Sequence, residues 1–375
     1  MAAAAEFDLF FLTTHIIMHL AEIINPSFHV SDRNFVFTLL FVCADVIIEI
    51  SDLNISAKEG AEVKITAIGE ILVDMTQTQI DANGIPHFAA NPGGAPANVA
   101  VAAAKLGVES AFVGCIGEDA FGTLLKDTLI RNHVDISGLQ VTPLTNTTLA
   151  VVTVDESGER SFSFYRKPGA DTRIDAAQAI EAVKGTGILH FGSVSVTDPT
   201  CRDTIVNTVS AAKLDGAIIT YDPNYRAVLW QNEDAAMLQM RAVLPLCDVV
   251  KISDEETMLL CGVKNPHAAA QKLMDLGVKL AMVTLGSHGA LWRFGDLEGE
   301  VEGFKVKVAD TNGAGDTFFG ALLSRIAVHG GLEGLTADDL NQYVRFANKA
   351  ASLTTSRPGA IPAMPTREEV EEGLK

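Results

Sequence analysis

The sequence predicts an α/β fold built of repeated strand–helix units, with a second, smaller sheet set apart from them. Three observations predict it. From Val63 onward, short apolar runs of strand type alternate with longer runs of helical spacing, the pattern of βα units. Between residues 147 and 165 that rhythm breaks, and two β-rich runs follow each other with only a hairpin signal between them. The chain has 375 residues, enough to enclose a large α/β core with an appendage.

Composition excludes some functions. Lys and Arg number 28 against 47 Asp and Glu, a formal net charge of −19. Phosphate backbones need cations, so a general nucleic-acid binder is excluded. The five cysteines, at 43, 115, 201, 247 and 261, are scattered and form no C-x-x-C pair. That favours a reducing cytoplasm over a disulfide scaffold or a zinc site.

Residues 1–62 read differently from the rest. Their apolar runs, 7–12 and 35–43, stop short of a bilayer span, the second meeting Asp45 and Glu49. Glu6 and Asp8 stand where a signal peptide carries basic residues. His15 and His19 share i, i+4 spacing with no third ligand nearby, so they read as parts of an amphipathic helix. The segment is expected to be an extension of unknown role, or upstream sequence with the functional start near Val63.

The elements after Val63 follow in order. Residues 63–69 form a short strand, and Asp74 lies just past its end, where open α/β sheets bind ligands. A carboxylate there can accept hydrogen bonds from vicinal hydroxyls, or can be a turn residue. Pro92-Gly93-Gly94-Ala95-Pro96-Ala97-Asn98 opens a helix that Gly107 ends. Asn98 carries both a donor and an acceptor. Residues 111–115 form the next strand, and Asp119 caps the helix after it. The β-rich runs 148–155 and 160–165, joined by the turn 155–159, form the small sheet together with residues 76–88. Arg166 follows directly, aimed at a substrate oxygen or solvated. Strands at 188–192 and 217–221 come next. Pro223 keeps Asp222 out of a helix and projects Asn224 and Arg226 beyond the sheet. His190 reads as a core or turn histidine. Residues 248–253 form a strand, and Asp254-Glu255-Glu256 start a helix. Gly286 and Gly289 turn one strand into another, either as a plain hairpin or as a turn open to a flat ring.

Residues 306–308 read as a strand leading into Asp310-Thr311-Asn312-Gly313-Ala314-Gly315-Asp316, after which helical spacing begins. Small residues there let backbone N–H groups approach a ligand. A helix N-terminus is an anion site, through its free N–H groups and its dipole. Asp316 beside such a site repels a phosphate unless it takes a proton from the attacking group. The combination points to phosphoryl transfer with Asp316 as general base. The plain alternative is a first-turn Asp that stabilises the dipole.

The 310–316 run resembles the Asp-Thr-x-Gly-Ala-Gly-Asp motif of the ribokinase-like (PfkB) sugar kinases. Gly93-Gly94-Ala95-Pro96-Ala97-Asn98 is similar to that family's sugar-binding Gly-Gly-x-x-x-Asn. Phe164-Tyr165-Arg166-Lys167-Pro168-Gly169-Ala170-Asp171, Asp222-Pro223-Asn224-Tyr225-Arg226 and Lys251-Ile252-Ser253-Asp254-Glu255-Glu256 look most like its fructokinase branch. The resemblance covers residues 63–375. It implies a ribokinase-like fold: a largely parallel central sheet with helices on both faces, and a small β lid from about 76–92 and 147–166. It implies ATP-dependent phosphorylation of D-fructose to fructose 6-phosphate. Asp316 would act as base, with Gly313, Ala314 and Gly315 as the anion hole. Asp74, Gly94, Asn98, Arg166 and Asp316 would bind the sugar. Asn224, Glu256, Thr284, Gly286, Gly289 and Asn348 would bind the nucleotide. Glu256 would hold Mg²⁺ through water, and Asp310 and Asn312 would border a monovalent cation, K⁺. Ser253 stands where many members have Asn, which weakens any transfer of that Asn's role. The lid implies a homodimer contact. A kinase for 2-keto-3-deoxygluconate or a nucleoside, and a non-catalytic sugar-binding protein, remain the alternatives.

Overall fold

The computed structural model describes residues 63–154 and 160–375; the readings made for residues 1–62 and for the turn 155–159 lie outside them. The strands are β1 Ile65–Ile68, β2 Leu72–Ile80, β3 Pro86–Gly93, β4 Ser110–Gly117, β5 Asp135–Thr142, β6 Leu149–Val154, β7 Arg160–Tyr165, β8 Ile188–Gly192, β9 Ile218–Asp222, β10 Val249–Ser253, β11 Leu280–Thr284, β12 Gly289–Phe294 and β13 Leu297–Glu302. The helices are α1 Ala95–Lys105, α2 Ala120–Arg131, α3 Ala176–Ala182, α4 Pro199–Leu214, α5 Glu233–Ala242, α6 Thr257–Cys261, α7 Pro266–Asp275, α8 Ala314–His329, α9 Ala337–Thr355 and α10 Arg367–Leu374.

Nine strands form the central sheet in the order β13-β12-β11-β10-β9-β8-β1-β4-β5. All neighbours from β5 to β11 pair parallel, and β11-β12-β13 pair antiparallel. Alternate strand residues serve opposite faces, as the period of two requires. Ile188, Val249, Leu280 and Met282 enter a cluster with Phe318, Phe319 and Val344 of α8 and α9. Their neighbours Leu189, Val250, Ala281 and Val283 enter a second cluster with Ile205, Met240 and Leu273 of α4, α5 and α7. Both faces are therefore covered. The second sheet has the order β3-β2-β6-β7 and takes in most of the small lid, with β2 starting at Leu72.

Order in the sheet reverses at β1: the chain runs out through β4 to β5, then returns to β8 on the other side of β1. The crevice beyond the carboxyl ends at such a reversal is where open α/β sheets take ligands. Two helices start near it. α1 and α8 pack so closely that a Cβ on Gly320 would lie 2.7 Å from the Cβ of Ala102 and 2.9 Å from the Val99 carbonyl. The small residues of α1 and Gly320 together bring the two N-termini side by side.

Asp119 caps α2, its carboxylate accepting from the Gly122 amide. One expected element is absent: residues 306–308 are not a strand. β13 already forms the sheet edge, and the segment is tied instead to α9, where the Ala309 and Asp310 amides donate to the Thr355 carbonyl. The apolar alternation there has no sheet to face, and Val308 is 61% exposed.

Candidate active site

A cavity of about 460 Å³ opens at the reversal, lined by Glu70 just after β1, the first half of β2, the start of α1, Val152 of β6 and Phe164 of β7, the loops after β8 and β9, Lys251 of β10, and the loop before α8 with its first turn. Asp316 stands at its base in the first turn of α8. Gly313 is the N-cap, in the left-handed region at φ 74°, and a Cβ there would meet Ala360 at 2.8 Å. Only glycine fits this start without strain. The first intrahelical bond runs from the Thr317 amide to the Gly313 carbonyl, so the amides of Gly315 and Asp316 precede the helical ladder.

The Asp316 carboxylate accepts hydrogen bonds from Asn98 Nδ2 at 2.8 Å and from Asn224 Nδ2 at 3.4 Å. Asn98 comes from α1 and Asn224 from the loop after β9, so three separate stretches converge on one carboxylate. Asn224 adopts φ 45°, which turns the chain sharply after Pro223. Burial pushes the Asp316 pKa up to about 6, Asp222 adds to the rise, and the Asn98 bond opposes it. The group is therefore ionised at neutral pH yet close to the range of a working base. The Asn98 Oδ1 is buried without a hydrogen-bond partner among the described residues. An unpaired buried acceptor facing a cavity invites a donor from a ligand.

Asp74, at the cavity wall, has a pKa raised to about 6, chiefly by burial. The side chain of Asn312 hydrogen-bonds it. Asn312 is thus turned toward the cavity, while its amide donates to Asp310 Oδ1. Asp310 Oδ2 accepts from the Gly359 amide, joining the loop before α8 to the loop after α9. Gly94, at φ 108°, lets the chain pass over β1's end; a Cβ there would lie 2.6 Å from the Glu70 carbonyl.

Two pairs escaped sequence reasoning. Glu70, fully buried, spans the reversal: it accepts from Ser195 Oγ at 2.6 Å and from the Ala95 amide at 3.2 Å. Burial raises its pKa to about 7. Lys251 of β10 pairs with Asp222 of β9, Nζ to Oδ2, at 2.5 Å, and both are buried. The available signal was a charge inside or just past an apolar strand.

The structure does not bring Arg166 to the cavity. Its guanidinium donates to Asp171 at 2.6 Å, to Thr197 Oγ1 at 2.6 Å and to the Val194 carbonyl at 3.1 Å. All its directions are taken by the protein, because burying a guanidinium demands a partner for each face. The residues matched to the nucleotide lie apart from the cavity, except Asn224. Thr284 ends β11 and Gly289 starts β12. Gly286 sits between them at φ 57°, and a Cβ on Gly289 would collide with β13 at the Val301 carbonyl. Asn348 of α9 donates to the Val301 and Glu302 carbonyls and so fixes β13.

Glu256 accepts from the Tyr225 amide at 2.7 Å and from the Ser253 amide at 2.8 Å. It couples the loop after β9 to the end of β10. Among the described residues no cluster of three or more His, Cys, Asp or Glu could cage a metal. His190 is a buried core histidine, its pKa lowered by burial to about 4.

The arrangement can hold a polyhydroxylated ligand, remove a proton at Asp316 and receive an anion at the start of α8. Comparison with known proteins shows the family. Residues 63–367 match the family described as pfkB family carbohydrate kinase. Fructokinase-1 of Zea mays is 39% identical over 310 residues, 82% of this chain and 96% of that protein. A structure of fructokinase with bound ATP from Xylella fastidiosa is 33% identical, covers 84% of this chain and all of that one, and superposes with a TM-score of 0.76. A double mutant of fructokinase from Vibrio cholerae O395, with fructose, ADP and potassium bound, is also 33% identical, with a TM-score of 0.76 over 85% of this chain and all of that one. The ribokinase-like sheet, the small lid and the matched length agree: the chain belongs to the pfkB family of carbohydrate kinases.

Proposed function

We propose that this protein transfers the γ-phosphoryl group of ATP to D-fructose, giving fructose 6-phosphate and ADP. The observation that carries the reading is a buried carboxylate, Asp316, held by Asn98 and Asn224 beside the amides that open α8. Asp74 and Asn98 line the space for the sugar hydroxyls. Asp316 takes the proton of the attacking hydroxyl. The Gly315 and Asp316 amides, with the α8 dipole, stabilise charge on the transferring group. Mg²⁺ with the nucleotide would neutralise phosphate charge, and Glu256 is the carboxylate that would hold its water. The loops joined by Asp310 and Gly359 border the position of a monovalent cation, K⁺. The turn at Gly286, between β11 and β12, faces the nucleotide base. The identity with fructokinases favours fructose over a ketodeoxygluconate or a nucleoside.

Residues 63–375 form the catalytic unit in this reading. The four described cysteines are all unpaired, which suits the cytoplasm. No helix among the described residues is long and apolar enough to cross a membrane. The lid carries exposed Ile80, Ile85 and Tyr165, which suit a homodimer contact.

An ATP-consumption assay with fructose tests the reading, with Asp316→Asn as control. Asn fits the space but accepts no proton, so kcat should fall roughly 10²–10⁴-fold with the fold kept. The loss should lie in kcat rather than in nucleotide affinity. Near wild-type turnover in that variant would return Asp316 to a helix-start role.

A further inference from the structure

One buried cation has no part in the chemistry so far. Lys251 is 6% exposed and enters the cavity wall from β10. A Cβ placed on Gly315 would lie 3.2 Å from its Nζ. The ammonium therefore faces the same stretch of backbone as the amides at the start of α8. Burial works against its charge, but Asp222 and Glu256 outweigh burial and its pKa is raised. Asp222 is itself anchored, its Oδ1 accepting from the Asn224 amide at 3.1 Å.

We infer that Lys251 is a catalytic cation that leaves Asp222 for a γ-phosphoryl oxygen, Gly315 being the side-chain-free space in which the two meet. The inference rests on the kinase reading above. The ammonium stands beside Gly315 while paired with Asp222, and its flexible stem lets it swing without moving β10. With ATP absent, Asp222 holds the charge in place, because an unpaired buried ammonium is costly. During transfer the sugar hydroxyl gives its proton to Asp316. Its oxygen forms the new P–O bond while the bond from Pγ to the bridging oxygen breaks, and that electron pair leaves with ADP. Lys251 keeps its proton throughout and offsets the charge spread over the equatorial oxygens. Arg226, the other cation lining the cavity, hydrogen-bonds the Asn224 and Tyr225 carbonyls from an exposed position.

Lys251→Met, Asp222→Asn and the double variant separate this role from a structural one. Binding of ADP and of a β,γ-nonhydrolysable ATP analogue, both with Mg²⁺ and without sugar, is measured by calorimetry beside kcat. Wild-type turnover with fructose checks the parent reading independently. With turnover present, Lys251→Met should lower kcat by about 10²-fold, the size of losing one donor to a developing oxyanion. It should also erase the preference for the analogue over ADP while leaving the ADP Kd unchanged. The double variant, with no unpaired charge to disturb the fold, should remain as slow. Retained preference for the analogue in Lys251→Met, or turnover restored in the double variant, would overturn the assignment and leave Lys251 as the counter-charge of Asp222.

Discussion

Two carboxyl groups in the cavity share an unusual setting. Asp316 and Asp74 both have pKa values raised to about 6, in each case mainly because burial disfavours the charged form. Each must be ionised in the proposed chemistry, Asp316 to take a proton and Asp74 to accept hydroxyl hydrogen bonds. Protonation switches each off, so activity is full above about 6 and is lost as pH falls through it. With both groups titrating together, log kcat/KM should fall with a slope approaching 2 in the acid limb. Asp74→Asn should flatten that slope toward 1 and raise the sugar KM. A slope of 1 in both proteins would leave a single essential group. Asp316 was legible in the sequence because the small residues before it declare their own backbone chemistry. Lys251 and Glu70 were not, because their partners Asp222 and Ser195 lie 29 and 125 residues away. One sequence carries no strand register, and the register is what brings those pairs together.

At the scale of elements, the same limit explains both successes and failures. The start of α1 could be read because Gly93, Gly94 and Asn98 act within one turn. Residues 306–308 were misread because alternation is local, while a strand also needs an open edge. Arg166 is the instructive case. Its place directly after β7 suggested a contact with substrate, yet it clamps Asp171, Thr197 and the Val194 carbonyl. It joins the end of the lid to the loop after β8, beside the Glu70–Ser195 bond. Arg166→Ala would leave Asp171 buried with Thr148 as a hydrogen-bond donor but no counter-charge, a loss of roughly 3–5 kcal/mol. Thermal unfolding should show that loss as a lowered midpoint, with a weaker fructose KM following from a displaced lid. An unchanged midpoint with a raised fructose KM would place Arg166 on the sugar instead.

For the whole molecule, the family match begins at residue 63. A protein starting at Val63 should therefore fold and phosphorylate fructose at rates near those of the full chain. Insolubility or inactivity of that protein would make the first 62 residues part of the enzyme. Charge acts over the whole molecule as well. Glu70, Asp74, Asp310 and Asp316 line the cavity against only Arg226 and Lys251, within a chain of net charge −19. A nucleotide polyphosphate approaches this surface against the field. Encounter should therefore quicken as salt is added, the reverse of electrostatic steering. Between ionic strengths of about 0.01 M and 0.15 M the screening length shrinks from roughly 30 Å to 8 Å. Stopped-flow association of a fluorescent ATP analogue should speed up over that interval. An association rate that slows instead would mean that the few cations at the mouth, rather than the acidic body, set how the nucleotide arrives.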